Sequence, residues 1–523
     1  MTDQALPTPS LAAPGNIGLA AGQLGTLQRA LLVAAGALLL CWAALVNGGP
    51  FFHPDTVSYV RGPDVAVLKV LGPRFASPWA AQNEGAAARA VSPSGGAAAA
   101  PRSYDDKEVL AGRSIYYGAL AWLGEVSGGF WLTILCQALA VAYLLDALLR
   151  AVGRRSVGAY AAAAAVVAFA TPAPLFVALL MPDIWAAVGL GAFALLLAFG
   201  RRLRLAESLA LSGLMAFAVL AHTSNLLLVA GLIATAPLVR WIAGRRAPRV
   251  RTAVLAGAGA IAVGIAGGLA FTFAVIHLAG AKPLSPPFIT ARLIADGTGA
   301  RYLESHCPSA GFEACRYRGQ RPADADDYLW SLDPAKAVFA TATAESRRAL
   351  SGEQTRVALA VVAADPLGQV AASARNVVQQ IGDSDLANFN YKQSVRASLD
   401  LSVPPSRLHV FRDTAAYREA WPLGPMQVWY TVVRVLAAIA LLAWLVLSWK
   451  RSRTGDDAPV VALRAWTAAV VVGVLGNAAI CGALSAPYGR YQARLDWLLP
   501  VTALLVFGSL AGRRDEEAAR PRV

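Results

Sequence analysis

The chain has 523 residues, of which 56% are hydrophobic and 15% charged, with a mean hydropathy of +0.50. Soluble domains carry roughly 25% charged residues, so this composition excludes a water-soluble enzyme, a disordered protein and a coiled coil. The net charge of +14 has to be located along the chain before it can be assigned to a partner.

A membrane span needs roughly 20 mainly apolar residues to cross about 30 Å of hydrocarbon. Ten stretches are expected to do so: 29–48, 130–149, 157–180, 184–200, 206–221, 224–240, 252–279, 428–448, 462–484 and 494–511. The apolar run 206–240 would be about 52 Å long as one helix, so it is broken at His222-Thr223-Ser224-Asn225. The run 157–200 is broken at Pro182-Asp183. The first span reads as an uncleaved signal anchor, because its apolar region is longer than that of a signal peptide and no clear A-x-A site follows.

Basic clusters fall at Arg150/Arg154/Arg155, Arg201/Arg202/Arg204, Arg240/Arg245/Arg246/Arg249/Arg251, Lys450/Arg451/Arg453 and Arg513/Arg514/Arg520/Arg522. With ten spans and the N-terminus inside, every cluster faces the cytoplasm, as the positive-inside rule requires. The positive charge then reports topology and contact with membrane lipids, and no nucleic-acid partner is expected.

The expected fold class is an all-α polytopic membrane protein of about ten transmembrane helices, with a mainly helical periplasmic domain between spans 7 and 8. Its parts are a cytoplasmic tail (1–28), a seven-span module (29–279) with a long first outer loop (49–129), an outer domain (280–427), three C-terminal spans (428–511) and a basic cytoplasmic tail (512–523). The first loop holds an Ala/Gly/Pro/Ser tract from Gly85 to Pro101, read as a linker, and short apolar pieces near 64–72 and 112–126 suited to interfacial helices. The segment 280–427 carries 16 basic and 15 acidic residues, a balance that suits a soluble domain, and 334–378 reads as helix. Cys307 and Cys315 are the disulfide candidates in an oxidising periplasm. They are a poor zinc site, because His306 is the only nearby histidine. Cys41, Cys136 and Cys481 lie in spans, where packing accounts for them.

Charges near the membrane are costly and therefore informative. Four polar clusters sit at the outer ends of the spans: Phe51-Phe52-His53-Pro54-Asp55-Thr56-Val57-Ser58-Tyr59-Val60-Arg61, Met181-Pro182-Asp183, His222-Thr223-Ser224-Asn225, and Pro487 to Trp497 with Arg490, Tyr491 and Arg494. One depth thus holds a possible carboxylate base and arginines whose fork geometry suits phosphate. That set meets the needs of group transfer from a lipid phosphate.

The sequence Pro54-Asp55-Thr56-Val57-Ser58-Tyr59 just after span 1 resembles the C-type (GT-C fold) membrane glycosyltransferases. Asp183 in the second outer loop, the long first outer loop, the seven-span module and Arg490-Tyr491 before the last span are similar to that family's layout. The resemblance implies an inverting transferase that moves a sugar from a polyprenyl-phosphate carrier to a periplasmic glycan, lipid or protein acceptor. It implies Asp55 as catalytic base and Asp183 as a second catalytic carboxylate, which positions substrate or shares a divalent cation (Mg or Mn). Arg490 or Arg494 would hold the lipid phosphate. His53, Tyr59, Arg61, His222 and Tyr491 are further substrate-binding candidates, although the histidines are not obligatory in the family. The implied location is the bacterial inner membrane.

Each residue also has a purely structural reading. Asp55 and Asp183 could cap helices, His222 could satisfy a tight turn, His53 could be a surface residue, and Arg490 and Arg494 could snorkel to headgroups. The alternatives to a glycosyltransferase are a flippase or transporter for a lipid-linked glycan, another lipid-modifying transferase or polymerase, and a non-enzymatic envelope-assembly protein. A transporter should show repeated halves with discontinuous helices at midplane, and the sequence has no internal repeat.

Overall fold

The structure, a computed structural model, describes residues 25–80, 108–244, 250–451 and 458–518. The Gly85–Pro101 tract, most of the N-terminal tail, and Arg245, Arg246, Arg249, Arg453, Arg520 and Arg522 lie outside the described residues. In chain order the first helices are α1 (Thr26–Asn47), α2 (Pro54–Leu71), α3 (Ile115–Gly128), α4 (Trp131–Ala151) and α5 (Val157–Ala170). There follow α6 (Ile184–Phe199), α7 (Leu205–Ala221), α8 (Thr223–Ala243) and α9 (Arg251–Ala279). The second half holds α10 (Ala325–Trp330), α11 (Ala344–Ala364), α12 (Pro366–Gly382), α13 (Leu423–Arg451), α14 (Ala458–Leu484), α15 (Gly489–Ala493) and α16 (Leu498–Ala518), with other helical segments of up to ten residues among them, such as Phe288–Ala295, Thr298–His306 and Gln393–Ser402. Among the described residues no strand forms, and two isolated bridges, Phe51–Leu179 and Leu110–Leu284, are the only β contacts.

Among the described residues, six helices are long and apolar enough to cross a membrane: α1, α4, α8, α9, α13 and α14. In lipid a helix satisfies its own backbone donors and acceptors, and this supports a helical multi-pass membrane protein. All ten expected spans are largely helical, but length and composition do not support ten crossings. Helices α5, α6 and α7 have 14, 16 and 17 residues. Every residue of α6 is buried. A helix that is apolar all round can owe its composition to a protein interior as well as to lipid, so apolar composition alone does not make α6 a crossing. Helix α16 begins at Leu498 and runs into the charged sequence 513–517.

Of the two expected interfacial pieces, the first is the end of a longer helix, α2, and the second is α3, displaced by two or three residues, and the two helices cross closely. A Cβ on Gly118 would meet the Tyr59 carbonyl at 2.5 Å. Asp64 fastens this loop: its carboxylate accepts from Ser77 N–H (2.7 Å), Ser77 Oγ (2.8 Å), Ala80 N–H (2.7 Å) and Trp122 Nε1 (2.8 Å). The helix expected across 334–378 is two helices, α11 and α12, bent by 107°. Pro366 lacks a donor and disfavours the α conformation at Asp365, whose side chain instead caps α12 through Gly368 N–H at 2.9 Å.

The segment expected as one outer domain, 280–427, divides in its packing. Residues 284–350 hold a small core of their own around Leu303, Tyr328, Phe339 and Leu350, and Cys307 is disulfide-bonded to Cys315. By contrast, Leu386, Phe389, Tyr391, Leu399, Val403 and Phe411 belong to the main core of the helical bundle. Phe389 packs edge-on against Phe51 and Phe176, and the Phe52 N–H donates to the Tyr391 hydroxyl at 2.6 Å. Asn47 Oδ1 accepts from Ala416 N–H and Trp421 Nε1, each at 2.9 Å. The even charge balance hid this division, because the apolar contacts are spaced through an otherwise polar sequence.

Candidate functional site

Tertiary contacts between loops assemble one polar cluster. After α1, the chain lies against the turn before α6: Phe51 N–H donates to the Ala178 carbonyl (2.8 Å) and Leu180 N–H to the Phe51 carbonyl (2.9 Å). Thr56 Oγ1 adds a bond to the Leu180 carbonyl at 3.1 Å. These contacts bring His53 and Asp55 to the turn that carries Asp183. The connector 108–114 is held at both ends. Ala111 N–H bonds the Leu284 carbonyl at 2.8 Å, and Ser114 Oγ bonds the Leu220 carbonyl, two residues before His222, at 2.6 Å. Arg113 is thereby delivered to Asp55. On the far side, Asn477 of α14 donates to the Tyr491 carbonyl (2.7 Å) and accepts from Arg494 Nη2 (3.0 Å).

Asp55 is paired with Arg113, whose Nη2 donates to Oδ1 at 2.5 Å. Burial pushes the Asp55 carboxyl up, but the adjacent guanidinium outweighs it and holds the group at about 2. Asp183 is 2% exposed and stands between Arg490 (Nε at 3.7 Å) and Arg494 (Nη1 at 3.6 Å). Both separations exceed hydrogen-bond distance, and Asp183 Oδ1, Arg490 Nη1, Arg494 Nε and Arg113 Nε are buried without a hydrogen-bond partner. The Arg490 and Arg494 guanidinium carbons each lie 5.2 Å from the centre of the Tyr491 ring.

His53 caps α2: its Nδ1 accepts from Asp55 N–H at 3.2 Å. That nitrogen lies 3.6 Å from Asp55 Oδ2, but an accepting Nδ1 carries no proton, so the contact is not a charged pair. Burial, with the Arg490 charge, lowers the ring to about 4. His222 caps α8 in the same way through Ser224 N–H at 3.1 Å, and burial with Arg494 lowers it to about 4. With both histidines neutral, the cations beside Asp55 and Asp183 are the three arginines.

The cluster thus contains Asp55, Asp183, His53, His222, Arg490, Tyr491 and Arg494. Tyr59 lies one turn after Asp55 on α2, is buried, and packs edge-on against Tyr117 at 5.1 Å. Arg61 lies about 200° further round α2 from Tyr59, on a different face. The capping reading of Asp55 is corrected: His53 is the cap and Asp55 occupies the first turn. Asp183 stands at the cap position of α6 but makes no side-chain cap bond. His222 does satisfy its turn, as the structural reading expected. Arg490 and Arg494 are 7% and 2% exposed and do not snorkel.

Sequence reasoning missed Arg113. The signal was available, since it is an arginine in the loop expected on the outer face, where the positive-inside rule predicts few, the same argument that selected Arg490 and Arg494. It also missed Asp326 of α10, which accepts from the Tyr488 hydroxyl and lies near enough to feel the charges of Asp55 and Arg113. No local pattern marks Asp326, because it reaches the cluster from a distant lobe.

For a divalent cation, no three His, Cys, Asp or Glu side chains converge among the described residues. The two arginines beside Asp183 add positive charge next to that carboxylate. Arginine pairs with free N–H groups are suited to an oxyanion such as phosphate. Compared with protein-family models, curated proteins and solved structures, the chain matches none.

Proposed function

We propose that this protein is an inverting, GT-C-type glycosyltransferase that takes a sugar from a polyprenyl-phosphate carrier. The observation that carries the reading is the meeting of Asp55 with three arginines, each holding a buried, unbonded N–H, beside helices able to cross a membrane. An acceptor hydroxyl oxygen would attack the anomeric carbon and its proton would pass to Asp55. The bond from that carbon to the carrier's phosphate oxygen would break, with the electron pair leaving on the phosphate. Arg490 and Arg494 would stabilise the charge that develops there, while Asp183 keeps both guanidinium groups oriented. Dispersal of these residues would have favoured an assembly scaffold; their convergence favours chemistry. The basic clusters and the Cys307–Cys315 disulfide support the inner membrane, with cytoplasmic termini and this cluster on the periplasmic face. Acceptors of matching chemistry are hydroxyl-bearing glycans, lipids or proteins.

The test uses the purified protein in nanodiscs with a panel of polyprenyl-phosphate sugars and envelope acceptors. Asp55→Asn lowers transfer by about 10²–10⁴, the usual contribution of a general base, while the melting transition stays cooperative. Full activity in Asp55→Asn removes the base and overturns the mechanism.

A further inference from the structure

Arg113 has three features that a purely structural partner of Asp55 would not need together. Its Nη1 bonds the neighbouring Gly112 carbonyl at 2.9 Å, its Nη2 bonds Asp55, and its Nε is buried with nothing to bond. It is the third arginine of the cluster, and Arg490 and Arg494 also hold unbonded N–H groups. The Asp55 carboxylate, meanwhile, commits its Oδ1 to that guanidinium. A base held this way is weak, and a cation held this way is partly neutralised.

Resting on the donor reading above, we propose that Arg113 is a phosphate-binding residue that exchanges partners. Without ligand it holds Asp55; when the phosphate of the lipid carrier enters, Arg113 turns to the phosphate and Asp55 is released to face the acceptor. The exchange imposes an order in which the donor arrives before the base is free, so the acceptor is not activated without a sugar to receive it. The connector supports this role. It is bonded to the 284–350 lobe at Leu284 and to the Leu220 carbonyl near the end of α7, so the backbone of Arg113 is fixed and only its side chain has to move.

The proposal has an unusual consequence for affinity, because Asp55 competes with the phosphate for Arg113. Binding of undecaprenyl phosphate to the full-length protein in nanodiscs is measured for the wild type, Asp55→Asn, Arg113→Gln and the double variant, with undecaprenol as the control lipid. Asp55→Asn binds undecaprenyl phosphate more tightly than the wild type, by about tenfold, the coupling expected of charged groups in contact. Arg113→Gln binds it more weakly, and in that background Asp55→Asn gains about twofold or less. An equal gain in both backgrounds would be a long-range charge effect and overturns the exchange, as does unchanged affinity in Arg113→Gln. Arg113→Lys keeps the charge without the fork and supplies the cycle if Arg113→Gln does not fold.

Inorganic phosphate is titrated in parallel. A coupled response to both ligands assigns the site to phosphate from either source, and a response to the lipid alone assigns it to a membrane-borne headgroup. If the wild type binds undecaprenyl phosphate no better than undecaprenol, the donor reading falls and this inference with it. If it binds but the cycle shows no coupling, this inference alone falls.

Discussion

His53 and His222 do the same work at two helix starts: each ring accepts a backbone N–H through Nδ1 and so must stay unprotonated there. Burial, with a nearby arginine, takes each from an ordinary 6.5 to about 4. Between those values the unfolded chain binds protons that the folded chain refuses, so stability falls as pH drops from 6.5 to 4 and the loss levels off below 4. Asp55 is shifted in its own window: its pairing stabilises above 3.8 and is lost only as pH falls toward 2. The two contributions are therefore separable. Asn in place of His53 retains a cap acceptor, so His53→Asn should leave thermal stability at pH 8 nearly unchanged and make the acid slope between pH 6.5 and 4 shallower. Melting curves in detergent across that range check it, and an unaltered slope would show that His53 does not carry it.

At the scale of elements, α12 and the short helix α15 hold the arginine loop against α14. Gln380, wholly buried, bonds Tyr488 twice, donating to its carbonyl and accepting from its N–H, each at 2.9 Å. The next residue, Gly489, passes so close to the 385 backbone that a Cβ would meet Asp385 N at 2.1 Å. Two backbones at that distance cannot yield as a flexible side chain can. Gly489→Ala should cost about 1–3 kcal/mol of stability, the range for overpacking, and should weaken phosphate binding, because Arg490 is the next residue. Gly476→Ala, on α14 with nothing within 4 Å of the added carbon, should be neutral in both measurements. Equal behaviour of the two variants in a melting and binding assay would refute this account of the loop.

For the whole molecule, ion pairs also join the lobe to the connector and the returning segment to the helices. Arg347 donates to Glu108 Oε2 through Nε at 2.9 Å and Nη2 at 2.5 Å, and both side chains are buried. Arg407 pairs with Glu125 at 2.6 Å, tying the 386–421 segment to α3. A buried pair is worth little relative to apolar replacements, but breaking one side strands a charge and costs about 3–5 kcal/mol. Arg347→Met should therefore destabilise strongly and loosen the connector that carries Arg113, while adding Glu108→Gln should recover most of the loss. Limited proteolysis near residue 108 and thermal melting measure both; failure of the second change to rescue would mean that the pair does more than satisfy itself.

The sequence by itself indicated a helical multi-pass membrane protein, placed the apolar helices, and showed that four polar clusters break the apolar pattern. Those properties follow from local composition, from proline and glycine placement, and from the cost of charge in hydrocarbon. It also brought forward Asp55, Asp183, Arg490 and Arg494, because charges at span ends stand out against an apolar background. Tertiary structure alone decided which helices are covered by protein, as α6 is, since lipid and protein interior select the same residues. It alone placed residues 386–421 in the bundle core, through contacts hundreds of residues apart in the chain. It alone set Arg113 on Asp55 and brought Asp326 near them, because a pairing across 58 or 271 positions leaves no mark on the sequence around either partner.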